Sequence, residues 1–149
     1  MRAVVQRVRN ASVTVGDELI GEIGPGVLVL LGVATGDQKS DADYLIEKIV
    51  NLRIFEDADD KMNLSLLETG GGLLAVSQFT LYGDTRRGRR PSFVKAARPD
   101  EADRLYNYFV ETARRHVKNV ATGRFQAMMD VDLVNSGPVT IILDSEKTI

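Results

Sequence analysis

The stretch VLVLLGVA, residues 27 to 34, carries no polar side chain and follows a Gly24-Pro25-Gly26 turn. A continuous apolar run of this length predicts a strand covered on both faces. It is far short of the roughly 20 apolar residues that a membrane helix needs. Such a strand requires partners on both sides, and the flanking sequence supplies them. Upstream, AVVQRVRNASVTV (3–15) alternates with the two-residue period of a half-buried strand, with a bend expected at Asn10. GDELIGEIGPG (16–26) offers turns at Gly16-Asp17 and at Gly24 to Gly26.

Downstream, Ser40 with Asp43 three residues on resembles a capping box and predicts a helix start there. Ala42, Leu45, Ile46, Ile49 and Leu52 then share one helical face. FEDADDKMN (55–63) reads as a polar loop, ETGGG (68–72) as a glycine-rich turn and LLAVSQF (73–79) as a second buried strand. Pro99 suits the first position of a second helix, with Asp100 and Glu101 in its first turn. Its buried stripe would be Ala102, Leu105, Phe109, Thr112 or Ala113, and His116. MMDVDLVN (128–135) and VTIILD (139–144) are closing strands separated by Ser136-Gly137-Pro138. The whole predicts one α+β domain spanning residues 1–149, a mostly antiparallel or mixed, barrel-like sheet with two main helices on one side.

The bulk numbers bound the function. With 149 residues, 44% apolar and 27% charged, the chain has the make-up of a soluble globular domain of ordinary size. It has no cysteine, which removes disulfides, thiolate chemistry and cysteine zinc sites and suits a cytoplasmic location. MRAVVQRVRN has no apolar core and is not read as a signal peptide. His116 is the single histidine, so a Ser-His-Asp hydrolase would have to use it. Its expected place late in a helix, on the core-facing stripe, assigns it a structural role instead. DADDKMNLSLLE (57–68) resembles a calcium loop only in part, with Met62 where glycine is required and Lys61 at a ligand position. TGGGL lacks the spacing and following helix of a phosphate cradle. No metal site is expected from these residues.

VSQFTLYGDTRRGRRPSF (76–93) is harder to dismiss. An apolar run ends in Ser77, Gln78 and Thr80, and Arg86, Arg87, Arg89 and Arg90 follow, in a chain of net charge −2. Two readings stand for the polar residues: hydrogen bonds to neighbouring backbone, or a small pocket that stabilises an ester oxyanion with adjacent N–H groups. Two also stand for the arginines. They are a solvated face, or a compact loop whose guanidinium groups match phosphate oxygens. Gly137-Pro138 is an ordinary turn or a rigid wall of carbonyl oxygens.

Taken in order, MRAVVQRV, GEIGPGVLVLLGV, NLRIFED, KMNLS, VSQFTLYGDTRRGRRPSF, TGRF and LVNSGPVT closely resemble the D-aminoacyl-tRNA deacylase family. The resemblance covers nearly the whole chain. It implies hydrolysis of the ester joining a D-amino acid, or glycine mischarged on tRNA(Ala), to the 3′-terminal adenosine of a tRNA. It also implies a cofactor-free cytoplasmic homodimer with tRNA as partner and with each active site at the dimer interface. By residue match, Ser77, Gln78, Phe79 and Thr80 form the catalytic strand, and Gly137 and Pro138, their bond cis, form a chirality gate supplied by the other subunit. Arg7 anchors that gate, and Phe125 and Met129 flank the terminal adenine. Ser136 stands where the family commonly has an acidic residue, with little expected effect. Arg86, Arg87, Arg89 and Arg90 are expected to meet tRNA phosphates. Whether Thr80 or a water attacks the ester stays open at this level.

Overall fold

The computed structural model describes residues 1–149. In chain order its elements are β1 (Arg2–Val15), β2 (Glu18–Ile23), β3 (Gly26–Gly32), α1 (Lys39–Asn51), β4 (Phe55–Glu56), β5 (Met62–Leu64), α2 (Leu66–Thr69), β6 (Gly72–Ser77), α3 (Pro99–Arg114), β7 (Val120–Thr122) and β8 (Asp130–Asp144). β3 is central, antiparallel to β1 and parallel to β6, and is buried along its length except at half-buried Leu30. The sheet runs β2-β1-β3-β6-β7, with β8 on the other side of β1.

Both faces of β3 are covered, by different means. On one side α1 and α3 bury Leu45, Ile46, Ile49, Leu105 and Phe109 against Val5, Val29, Leu31 and Ala75. On the other, Val8, Val13, Ile23, Leu28, Leu74 and Val76 form a second cluster inside the curl of the sheet. That curl brings β2 back toward β7. A Cβ at Gly21 would lie 2.5 Å from the Thr122 carbonyl oxygen, so the missing side chain is what lets the sheet nearly close into a barrel.

Several local expectations are corrected. α1 begins one residue before Ser40. Asp37 turns back to accept the Ala34 N–H at 2.7 Å, and Gln38 becomes the cap, its N–H donating to Asp41 at 2.8 Å. Asp43 instead accepts the Tyr108 hydroxyl of α3 at 2.7 Å. The loop at 55–63 contains the short β4–β5 pair, and the carboxylate of Asp57 accepts the N–H groups of Asp59 and Lys61. The glycine-rich turn follows α2, a third, short helix capped by Ser65 and Glu68 and ended by left-handed Gly70. α3 stops at Arg114, and the tight turn after it leaves His116 exposed and buries Val117 in its place. β1 is one continuous strand, with a register shift against β8 between Val8 and Ala11 where the bend at Asn10 was expected, and β8 is one strand, with Gly137-Pro138 inside it.

Candidate active site

β6 ends where the polar residues begin. Ser77 pairs with Leu31, and the Gln78 N–H donates to the Leu31 carbonyl at 2.7 Å. The chain then leaves the sheet in a single 3-10 turn, Phe79–Tyr82, so Phe79 is not the buried strand residue expected but is 54% exposed. The Phe79 and Thr80 N–H groups open this turn and have no acceptor within it. The turn sits tightly on β3: a Cβ at Gly32 would meet the Gln78 carbonyl oxygen at 3.1 Å. Arg2 holds it from the far side, donating to the Leu81 carbonyl at 3.1 Å and stacking 4.6 Å from the Tyr82 ring centre. The Thr80 hydroxyl accepts from the Gln78 amide, a donor and not a base. Nothing beside Thr80 is placed to take its proton.

Gly137 and Pro138 lie in a bulge of β8. Gln6 pairs with Thr140 and Val8 with Asn135, so residues 136–139 stand opposite Arg7 alone. The Gly137–Pro138 peptide bond is cis. Arg7 is nearly buried: Nε donates to the Ser136 carbonyl at 3.1 Å and Nη1 to the Ile54 carbonyl at 2.7 Å, with Glu56 3.8 Å from Nη2. Only glycine fits at 137, where φ is +120° and a Cβ would lie 2.7 Å from the Arg7 guanidinium. Asn135, which the sequence reading left without a role, ties the bulge shut. Its amide donates to the Arg7 carbonyl at 2.9 Å and to the Val139 carbonyl at 3.0 Å. The Ser136 side chain takes no part; its carbonyl does.

Phe125 and Met129 border β6 from the β7 side. The Gly123 N–H donates to the Ala75 carbonyl at 3.2 Å, and the Tyr106 hydroxyl donates to the same oxygen at 2.7 Å. Phe125 packs 6.3 Å from the Tyr106 ring, and the Met129 sulfur accepts the Arg124 N–H at 3.3 Å. Burial pushes the Tyr106 phenol up to about 12, so it stays a neutral donor. These groups lie beside the Ser77 end of β6. The Gly137 bulge does not. It shares a row with Arg7 and Val27, whereas Ser77 shares one with Leu31 and Ala3. Four residues along the strands and three strand spacings across put the two at roughly 13 Å by 14 Å.

The arginine loop springs directly from the 3-10 turn. Asp84 and Ser92 exchange backbone hydrogen bonds of 2.8 and 2.9 Å and close residues 85–91 into a compact excursion. Phe93 returns the chain edge-on to Phe79, with ring centres 5.0 Å apart. The arginines are not equivalent. Arg86 folds back on Asp84, with contacts of 3.0 and 2.7 Å, and holds that carboxyl well below the usual carboxylate range. Arg87 and Arg90 line a cleft of about 380 Å³ with Asp84, Arg86, Ser92 and Lys95, while Arg89 stands outside it.

One strand of a nearly closed mixed barrel ends in polar side chains beside a basic loop, and similarity to known proteins places a chain with this fold among the hydrolases. The model of the D-Tyr-tRNA(Tyr) deacylase family matches residues 4–144, and the chain belongs to that family of enzymes. It is 62% identical to a D-aminoacyl-tRNA deacylase of Symbiobacterium thermophilum, over 99% of this chain and 98% of that one. It is 61% identical to a D-aminoacyl-tRNA deacylase of Clostridioides difficile, over 99% of both. Among solved structures, a c-Myc DNA unwinding element binding protein superposes with TM-score 0.92 at 42% identity, covering 97% of this chain and 98% of that one. A probable eukaryotic D-amino acid tRNA deacylase, 18% identical, shares the fold with TM-score 0.80, covering 96% of this chain and 98% of that one.

Proposed function

We propose that this chain hydrolyses the ester of D-aminoacyl-tRNA, and of glycine mischarged on tRNA(Ala), as a cytoplasmic homodimer that rejects L-aminoacyl esters. The observation that carries the reading is the pair of half-sites in one chain. The Ser77–Thr80 end offers groups that suit an ester carbonyl but nothing that reads handedness. The Gly137 bulge offers braced carbonyls but nothing that acts on an ester. Lying at different ends of the sheet, they complete one another only if a second copy brings its Gly137-Pro138 to the first copy's Ser77–Thr80.

An enzyme that accepts many D side chains and refuses L ones must read the geometry at Cα. The carbonyls of the bulge accept hydrogen bonds from the substrate ammonium group, which fixes it relative to the ester. A D side chain then points out of the pocket, and an L side chain points into the wall. Glycine has nothing to clash and passes. Water attacks the ester carbon, the developing oxyanion is held by the Phe79 and Thr80 N–H groups, and the 2′-hydroxyl of the terminal ribose helps place the water. Phe125 and Met129 flank the terminal adenine, and the basic loop at 84–92 receives the RNA.

The test is deacylation of matched D-, L- and glycyl-tRNAs by the purified protein. D and glycyl esters should be cleaved and the L ester spared. Equal cleavage of D and L esters would refute the gate. Binding without turnover would favour nucleic-acid recognition alone, a second reading suggested by what the 42% identical structural relative is named for binding.

A further inference from the structure

We propose that Arg87, Arg90 and Lys95, with the Ser92 hydroxyl, form a defined site for a backbone phosphodiester near the 3′ end of the RNA, and that Arg86 and Arg89 are not among its ligands. The inference rests on the tRNA reading above and assigns the phosphate contact to particular cations.

Charge excludes Arg86, and position outside the cleft excludes Arg89. Asp84 is the one acidic side chain lining the cleft, and both its oxygens are taken by Arg86: Oδ1 accepts from the Arg86 backbone N–H and Nε at 3.0 Å each, and Oδ2 from Nη2 at 2.7 Å. Arg86 and Asp84 therefore cancel. Arg87, Arg90 and Lys95 make no ion pair with any carboxylate of the chain, which leaves three uncompensated positive charges around one concavity. Arg86 acts as a positioning residue: it takes both Asp84 oxygens, which leaves that carboxylate only a through-space attraction to Lys95, and it fixes the start of the loop. A free carboxylate in its place would repel a phosphate.

The backbone around these cations is pinned at both ends. Asp84 and Ser92 pair across the base of the loop. Lys95 is anchored through its carbonyl, which accepts the Thr35 N–H at 3.0 Å, and through the adjoining Ala96–Ala34 bridge. A fixed concavity lined by two guanidinium groups, an ammonium and a hydroxyl suits a tetrahedral anion, since guanidinium forks match its oxygens and the ammonium adds a point charge. The loop starts two residues after the Phe79–Tyr82 turn ends, and Phe93 packs on Phe79. A phosphate held here is thus rigidly related to the proposed ester site, which suits a phosphodiester of the same RNA strand and not a free anion.

A cation that neutralises one phosphate contributes a factor of about [salt] to the power −0.7 on single-stranded RNA. Losing that phosphate altogether should weaken binding about fourfold at 0.15 M salt and about eightfold at 0.05 M, with the salt slope reduced by about 0.7, and removing one of the three cations that share it should give part of that loss. The experiment measures affinity for uncharged tRNA against salt for the wild type, Lys95→Met, Arg87→Gln, Arg90→Gln and Arg89→Gln. In parallel, a 3′-D-aminoacyl adenosine, which has no phosphate, is hydrolysed by each. Lys95→Met, Arg87→Gln and Arg90→Gln should each show part of the loss and of the slope reduction while the adenosine ester is cleaved as by the wild type. Arg89→Gln should keep the wild-type slope. Wild-type affinity and slope in Lys95→Met, or an equal loss in Arg89→Gln, overturns the assignment. Failure of the wild type to cleave any D-aminoacyl ester would instead sink the functional reading itself, so the two failures are distinguishable.

Discussion

Replacing Asn135 by alanine removes one amide that holds two main-chain carbonyls at once. Its hydrogen bonds to the Arg7 and Val139 carbonyls, 2.9 and 3.0 Å long, join the two strands on either side of the Gly137 bulge. At about 0.5–1.5 kcal/mol net for each bond, the substitution should cost about 1–3 kcal/mol. For a chain of this size that lowers the melting temperature by roughly 2 to 12 °C. Asn135→Asp keeps the shape but turns a carboxylate toward both carbonyls, so it should cost at least as much as alanine. The functional effect should fall on selectivity. If the bulge is the wall that excludes L esters, loosening it by that energy erodes the D-to-L rate ratio by about five- to a hundredfold, with little change in the D rate. Thermal melting and paired D- and L-aminoacyl-tRNA deacylation measure both quantities. A variant that melts lower yet discriminates as well as the wild type would show that the Asn135 clamp serves stability alone.

Gly21→Val, which drives a side chain into the Thr122 carbonyl, should open the seam between β2 and β7 and cost more than about 2 kcal/mol in urea unfolding. Tyr106 gives a pH signature. Its phenol loses a proton near 10 when unfolded and only near about 12 when folded, so its contribution is complete below pH 10 and falls by about 1.4 kcal/mol per unit as pH rises through that window. Tyr106→Phe should flatten that part of the profile in urea unfolding. Thr80→Ala should retain substantial deacylation, since no base serves its hydroxyl; a loss beyond about a thousandfold would make Thr80 the nucleophile. Phe79→Pro removes an N–H proposed above to hold the oxyanion, at a helix-start position that tolerates proline, and should cost about a hundred- to a thousandfold in rate. Co-refolding it in excess with Gly137→Ala should suppress L-ester cleavage by the Gly137→Ala chains, because their intact strands then face intact gates; unchanged L cleavage would argue against shared sites.

What the sequence made legible follows a physical line. The β3 run, Pro99 at a helix start, and the apolar faces of α1 from Ala42 to Ile49 and of α3 from Ala102 to Ala113 depend on local pattern and burial, and they stand in the structure as read. Leu52 falls just past the end of α1 and is half-buried. The misplacements occur where tertiary contacts decide. Asp37 is drawn to Ala34, so Gln38 takes the cap that Ser40 was expected to hold. The turn after α3 moves Val117 into the core and His116 out of it. Four neighbouring arginines look alike in one dimension, and only the fold shows that Asp84 removes Arg86 and that Lys95, five residues beyond Arg90, joins the others. Asn135 adjoins Ser136-Gly137-Pro138 in a motif already singled out. Yet nothing in spacing announces that its amide spans the bulge.

Arg7 bears on why so much side-chain chemistry surrounds a short piece of main chain. A nearly buried guanidinium carries a large desolvation cost, which well-packed apolar residues of similar volume commonly avoid at equal or better stability. Here its bonds go chiefly to carbonyl oxygens, of Ser136 and Ile54, and its one carboxylate neighbour is 3.8 Å away and half exposed. It is therefore poorly explained as an ion pair kept for stability. It does fill the space that a side chain at 137 would need, and it fixes the carbonyl just before Gly137, while Asn135 fixes the one just after Pro138. Side chains are spent on holding backbone in place, which is the expenditure expected if backbone is the part that reads the substrate. A wall made of main chain has the same shape whatever D side chain passes it, and that uniformity is what a proofreader indifferent to amino-acid identity requires.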